Sequence, residues 1–174
     1  MISCIGIASS VSSPAADVGL NEIGVRAGIQ DGSRLGIHST YELFAARRLP
    51  WDWRAPSGWG VVPQLVCAVG YLEGRGQDGV DGSAGFAFVI DKNKPGFSTD
   101  FGISFSHMSR RRFGYTDYGS ENNFVSHIGI NYLFANGLKF GYRFQHMSNG
   151  QYFYPADTPN PGVNMHLLGT SYVF

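Results

Sequence analysis

Asn123-Phe124-Val125-Ser126-His127-Ile128-Gly129-Ile130-Asn131-Tyr132-Leu133-Phe134, then Ala135-Asn136-Gly137, then Leu138-Lys139-Phe140-Gly141-Tyr142-Arg143-Phe144-Gln145 is the stretch that decides the fold. Phe124, Ser126, Ile128, Ile130, Tyr132 and Phe134 share one parity, with Asn123, His127, Gly129 and Asn131 on the other. A period of two is the signature of a strand with two unlike faces. Asn-Gly is a strong short hairpin signal. After it, Leu138, Phe140, Tyr142 and Phe144 stand opposite Lys139, Gly141, Arg143 and Gln145. Working outward, Phe97, Phe101, Ile103 and Phe105 oppose Ser98, Asp100, Gly102, Ser104 and Ser106. Similar runs cover 20–31, 36–49, 59–73, 79–91 and 163–174, which makes about eight strands.

The 174 residues suffice for one domain, on a prior of roughly 100–200 residues each. Charged residues reach 15%, against about 25% in ordinary soluble domains. With 14% aromatics the chain is not disordered. Thirteen basic residues balance thirteen acidic ones, so no nucleic-acid footprint is present. Cys4 and Cys67 are too few for a disulfide scaffold or a Cys-rich zinc site. No apolar window approaches the ~18 residues of a membrane helix. Residues 1–17 end in small residues before Asp17, like a clipped secretory signal, but lack a basic n-region. They are read as a signal remnant or a polar N-terminal tail, with the barrel over 18–174.

The alternation suits two barrels: a soluble one with apolar residues inside, or a membrane one with apolar residues facing lipid. Three marks favour the membrane. The chain ends Leu168, Thr170, Tyr172, Phe174 on one parity, and a terminal aromatic looks like the assembly signal of bacterial outer-membrane barrels. Aromatics (Trp51, Trp53, Trp59, Tyr71, Phe97) cluster near strand ends as an interfacial girdle would. From a periplasmic start, the Asn136 hairpin lies inside while 109–122 and 149–162 are long outer loops. The 49–58 connection is longer than the tight turn this scheme expects. The reading is an all-β, eight-stranded antiparallel transmembrane β-barrel in the bacterial outer membrane. Its lumen is filled by ion pairs drawn from Asp100, Arg143, Glu22, Arg26 and Lys139.

Strand seven ends Phe144-Gln145-His146-Met147-Ser148-Asn149. His146 and Ser148 fall on the lipid parity, about 7 Å apart at Cα, so an imidazole can serve a neighbouring hydroxyl as base. Polar groups facing lipid are costly unless paired or used. Counting back by twos from Phe174 puts Asn164 and His166 on the same side, and either could orient His146. A seventh strand runs outward, so this group sits in the outer leaflet and points to a hydrolase acting on a lipid there.

His146-Met147-Ser148-Asn149, Pro159-Asn160-Pro161-Gly162-Val163-Asn164, Ser109-Arg110-Arg111-Arg112-Phe113-Gly114 and Gly141-Tyr142-Arg143-Phe144-Gln145-His146 resemble the PagL family of lipid A 3-O-deacylases. The resemblance covers most of 20–174 and is most specific in the last forty or so residues. It implies an eight-stranded outer-membrane barrel that removes the ester-linked 3-hydroxyacyl chain at position 3 of lipid A, within lipopolysaccharide; no metal or other cofactor is expected, because no carboxylate cluster accompanies the site. It also implies Ser148 as nucleophile, His146 as general base, and Asn149 with nearby backbone such as Gly150 as oxyanion hole. Two departures matter. Asn164 stands where the best-known form has a glutamate, and an amide stabilises an imidazolium less than a carboxylate, which predicts a lower rate. Gly150-Gln151 replaces a small residue followed by glycine, displacing the oxyanion glycine.

The acyl chain is expected beside Phe140, Tyr142 and Phe144. Arg110 and Arg111 are candidate clamps for lipid phosphates, and a solvated loop is their plainer reading. Ser106-His107-Met108-Ser109 repeats the His-x-Ser spacing on the lipid parity, so such spacing also arises structurally. His166 reads more simply as an interface histidine than as a triad member. The expected partners are lipid A and outer-membrane lipids, with the barrel a monomer or homodimer. A non-catalytic surface barrel is the alternative from another class, and a soluble ligand-binding barrel is the third.

Overall fold

The computed structural model describes residues 22–32, 36, 37, 39–151 and 154–174; the 1–17 segment lies outside them. Eight long strands are present: β1 (Glu22–Gln30), β2 (Ser39–Arg48), β3 (Gly60–Gly74), β4 (Gln77–Asp91), β5 (Gly96–Met108), β6 (Asn122–Leu133), β7 (Leu138–Ser148) and β8 (Val163–Val173). Each pairs antiparallel with its sequence neighbour. β1 also pairs with β8, from Glu22 opposite Val173 to Gln30 opposite Met165, and closes the barrel. Closure removes the sheet edges that would otherwise present unpaired backbone groups to lipid.

The apolar parity faces outward. Ile128, Ile130, Phe140, Tyr142, Phe101, Ile103 and Phe105 are exposed, whereas His127, Asp100 and Gln145 are buried. A barrel with this arrangement is dressed for a bilayer outside and a polar interior. The expected lumen ion pairs are in place. Arg26 pairs with Glu42, and Lys139 with Glu22. Asp100 takes Arg143 at 3.4 Å, His127 at 3.0 Å and the Asn131 amide at 2.7 Å.

One end carries the aromatic girdle: Trp51, Trp53, Trp59, Phe97, Phe134 and Phe174 are exposed there, and Phe97 packs edge-on against Tyr132 with centroids 4.9 Å apart. Tyr71, grouped with these in sequence, lies instead near the far end of β3. The Asn136 turn closes with Gly137 N–H donating to Phe134 O at 3.1 Å, and Phe134 N–H to Leu138 O at 2.8 Å. Only Gly137, at φ +85°, is left-handed, the pattern of a turn ending in a glycine bulge. The long 49–58 connection is itself folded. Trp53–Arg54 pairs back onto the start of β3, and the Arg54 guanidinium bridges Asp52 at 2.8 Å and Asp91 at 2.7 Å.

At the opposite end, loop 109–122 turns inward and stops the barrel. Arg112–Phe113 pairs with Thr116–Asp117, and Phe113 and Tyr118 bury against Ile37, Leu72, Met108, Met147, Val163, Met165 and Leu167. Tyr118 Oη accepts the Ile37 N–H at 3.2 Å. Asp117 holds this loop: desolvation would raise its carboxyl, but the Gly119 N–H and Arg112 outweigh it and keep it below the usual range.

Because Glu42 is buried against Arg26, Arg26→Met leaves its carboxylate in the lumen without that cation, held by the Gln145 amide at 3.4 Å. We expect a loss of about 3–5 kcal/mol in urea unfolding of the vesicle-inserted barrel, followed by tryptophan fluorescence.

Candidate active site

The site is built by parity before it is built by chemistry. Met147 lies between His146 and Ser148, and it is 4% exposed inside the apolar plug. Its cross-strand partner Val163, next to Asn164, is 1% exposed in the same plug. With Met147 and Val163 anchored inward, His146, Ser148 and Asn164 are forced onto the outer face, since successive side chains alternate.

His146 stands in register with Asn164 across the β7–β8 ladder. Its Nδ1 lies 2.7 Å from Asn164 Oδ1. A carbonyl oxygen only accepts, so Nδ1 carries the proton and Nε2 keeps its lone pair. This is the tautomer a base needs to take a proton from a hydroxyl. Ser148 follows two residues on, at the end of the same strand.

Of the two residues on the same face of β8, Asn164 is the one bonded to His146. His166 is engaged elsewhere: its Nδ1 is 2.6 Å from Tyr142 Oη, and its ring packs on Tyr142 and Phe144. Tyr142 and Phe144, expected along an acyl chain, therefore form one exterior patch with His166. Phe140 lies further along the same face, 51% exposed. Arg110 and Arg111 leave from the end of β5, and β6 separates that strand from β7. They reach the same rim but are not brought against Ser148; Arg111 faces Asp117 at 3.5 Å.

Asn149 is 1% exposed. Its Nδ2 donates to Tyr118 O at 3.0 Å and Pro159 O at 2.8 Å. Its main-chain N–H donates to Asn160 Oδ1 at 3.1 Å, and its Oδ1 accepts from Gln151 N–H at 3.1 Å. Asn149 thus ties the end of β7 to both outer loops, and its donors are occupied by that work. Gly150 follows at φ +71°, turning the chain at Ser148's shoulder.

Sequence reading passed over one residue. Gly162 stands in the Pro-Gly-Val-Asn motif, and a Cβ there would lie 2.9 Å from His146 Cε1, with φ +61°. Only glycine leaves the imidazole its place. The signal was available in Pro-Gly-Val-Asn, a glycine immediately before the last strand, but nothing in it says which ring the backbone meets.

A closed antiparallel barrel with an apolar exterior and a polar lumen belongs to the class of small outer-membrane barrels. Residues 39–173 match the family described as Lipid A 3-O-deacylase (PagL), and the chain belongs to that family. The crystal structure of the outer membrane enzyme PagL has the same fold, with TM-score 0.75 and 24% identity over 88% of this chain and 99% of that one. The backbone structure of the Yersinia pestis outer membrane protein Ail in a phospholipid nanodisc aligns at TM-score 0.45 and 15% identity, over 88% of this chain and 99% of that one. No curated protein matches the chain.

Gly162→Ala should leave the barrel folded, with unchanged heat-modifiable gel migration, while displacing the imidazole. We expect deacylation slowed by about a hundredfold, the scale of a misplaced catalytic group, measured as the initial rate on purified lipopolysaccharide.

Proposed function

We propose that this barrel is a serine esterase that hydrolyses the ester-linked 3-hydroxyacyl chain at position 3 of lipid A in the outer leaflet. The observation that carries the reading is the His146 Nδ1–Asn164 Oδ1 bond of 2.7 Å, on the outer face that also presents Ser148. An enzyme whose substrate is the surrounding lipid needs its nucleophile outside the barrel, and family membership supports lipid A as that substrate.

In the proposed reaction Ser148 Oγ attacks the ester carbonyl as its proton passes to His146 Nε2. Asn164 holds the ring and faces the imidazolium through Nδ1. The oxyanion is met at the Asn149–Gly150 turn, where the Gly150 N–H donates and Asn149 fixes the loop that aims it. His146 then gives the proton to the departing sugar oxygen as the C–O bond breaks, leaving a sugar hydroxyl. Water repeats the sequence to free the 3-hydroxy acid and restore Ser148. The acyl chain lies along Phe140, Tyr142 and Phe144, while Arg110 and Arg111 hold positive charge at the headgroup level for phosphate. The barrel acts alone or as a homodimer.

Mass spectrometry of lipid A from Gram-negative cells expressing the protein tests this directly. Wild type should remove one 3-hydroxyacyl mass, and Ser148→Ala none. Unchanged lipid A with wild-type barrel in the outer membrane would overturn the reading. Asn164→Glu places a carboxylate against the imidazolium and should raise the deacylation rate at least about tenfold, since the corresponding amide exchange in a Ser-His-Asp triad costs far more. Initial rates on lipopolysaccharide check this; a slower Asn164→Glu would show that this loop has adapted to the amide.

A further inference from the structure

Ser126 interrupts the apolar face of β6. Phe124 and Ile128 stand two residues to either side of it, and Ile103 stands opposite on β5. Its inward neighbours fix its direction: Val125 packs against the apolar plug, and His127 is buried in the lumen. Alternation then sends Ser126 outward, where it is exposed. Its hydroxyl has no hydrogen-bond partner among the described residues. A hydroxyl facing hydrocarbon without a partner costs free energy, whereas alanine would fill the same place at no such cost.

Register puts this hydroxyl beside the proposed base and nucleophile. Ser126 stands opposite His146 across the β6–β7 ladder, and Phe124 stands opposite Ser148. Directly opposed side chains have Cβ atoms about 4.5–5.5 Å apart, and diagonal neighbours such as Ser126 and Ser148 lie about 7–8 Å apart. The His146 ring is engaged on its other flank, with Nδ1 on Asn164 of β8 and Cε1 toward Gly162. The β6 flank of the imidazole is therefore left to a small side chain, walled by Phe124, Ile128 and Ile103, with one polar atom on its floor.

In a 3-hydroxyacyl ester the hydroxyl sits two carbons beyond the carbonyl that Ser148 attacks. With that carbonyl at Ser148, one hydrogen bond of about 2.8 Å brings the substrate hydroxyl within reach of a serine on the diagonal. A serine hydroxyl both donates and accepts, so it can pair with another hydroxyl either way round. We propose that Ser126 binds the 3-hydroxyl of the acyl chain and so selects 3-hydroxyacyl esters over esters of unsubstituted fatty acids. The inference rests on the preceding reading that Ser148 and His146 cleave an acyl ester here. Ser126 is a specificity residue and moves no proton in the reaction. It holds the chain at its third carbon, from which the chain continues along Phe144, Tyr142 and Phe140. An unsubstituted chain leaves the serine hydroxyl unpaired in hydrocarbon, which is the basis of the discrimination.

Two glucosamine esters test this, alike except that the acyl chain at O3 carries or lacks its 3-hydroxyl. The full chain is folded in detergent, and kcat/KM is measured on each. Wild type should favour the hydroxylated ester about five- to tenfold, the worth of one hydrogen bond. Ser126→Ala should bring the ratio to about one by slowing the hydroxylated ester, since it removes that bond. Ser126→Thr and Ser126→Val have one shape and differ in the hydroxyl, so the preference should survive in the first and vanish in the second. A wild type without preference, or a preference that Ser126→Ala leaves intact, overturns the proposal while the esterase reading stands. So does an alanine variant that slows both esters equally, as a serine with a purely structural role would. Failure of the wild type to cleave either ester, with heat-modifiable migration intact, overturns both readings.

Discussion

The chain alternates between two solvents, a bilayer outside and a lumen of paired charges inside, and everything else depends on that alternation. A slip of one residue in any strand would exchange the faces, putting Asp100 and Arg143 into lipid and Phe101 and Phe140 into the lumen. A cation alone costs about 2–4 kcal/mol at the bilayer midplane. Register is therefore fixed by both faces at once. The lumen adds its own specificity, because Glu22, Glu42 and Asp100 each meet a cation at a set height in the barrel.

The same rule explains how a polar site can exist on an apolar exterior. Three pairs of polar side chains are engaged there, near the outer rim: His146 with Asn164, Tyr142 with His166, His107 with Asn122. Each bond offsets part of the desolvation that a lone imidazole or amide would suffer. Pairing also selects a tautomer, so one interaction serves both stability and chemistry. The plug beneath completes the arrangement. Met147 and Val163 hold the two strand ends in register, and Asn149 fastens them to the loop that carries Tyr118. Loop 109–122 thus supports a site on two other strands.

Much of this was legible in the residues. Parity alone separated Phe140, Tyr142 and Phe144 from Lys139 and Arg143, and placed His146, Ser148, Asn164 and His166 on one face. Alternation is a local property, so it survives in sequence. What sequence left open were questions of contact between strands. Asn164 and His166 share a parity, so alternation alone did not choose between them, and a two-residue shift of β8 would have reversed the contact. The loop identity of Asn149 was hidden because its partners, Tyr118 and Pro159, are 31 and 10 residues away. Loop packing has no periodicity to read.

By itself, then, the sequence determined the strands, their two faces, the direction of β7 and the exterior position of the serine and histidine, because each follows from a period of two and a count of crossings. Only the tertiary structure decided that Asn164 holds His146, that Gly162 leaves room for its ring, and that His107 has an asparagine of its own. Those facts depend on the register between neighbouring strands and on backbone approaching side chain within a few ångströms, distances that closure of the barrel sets.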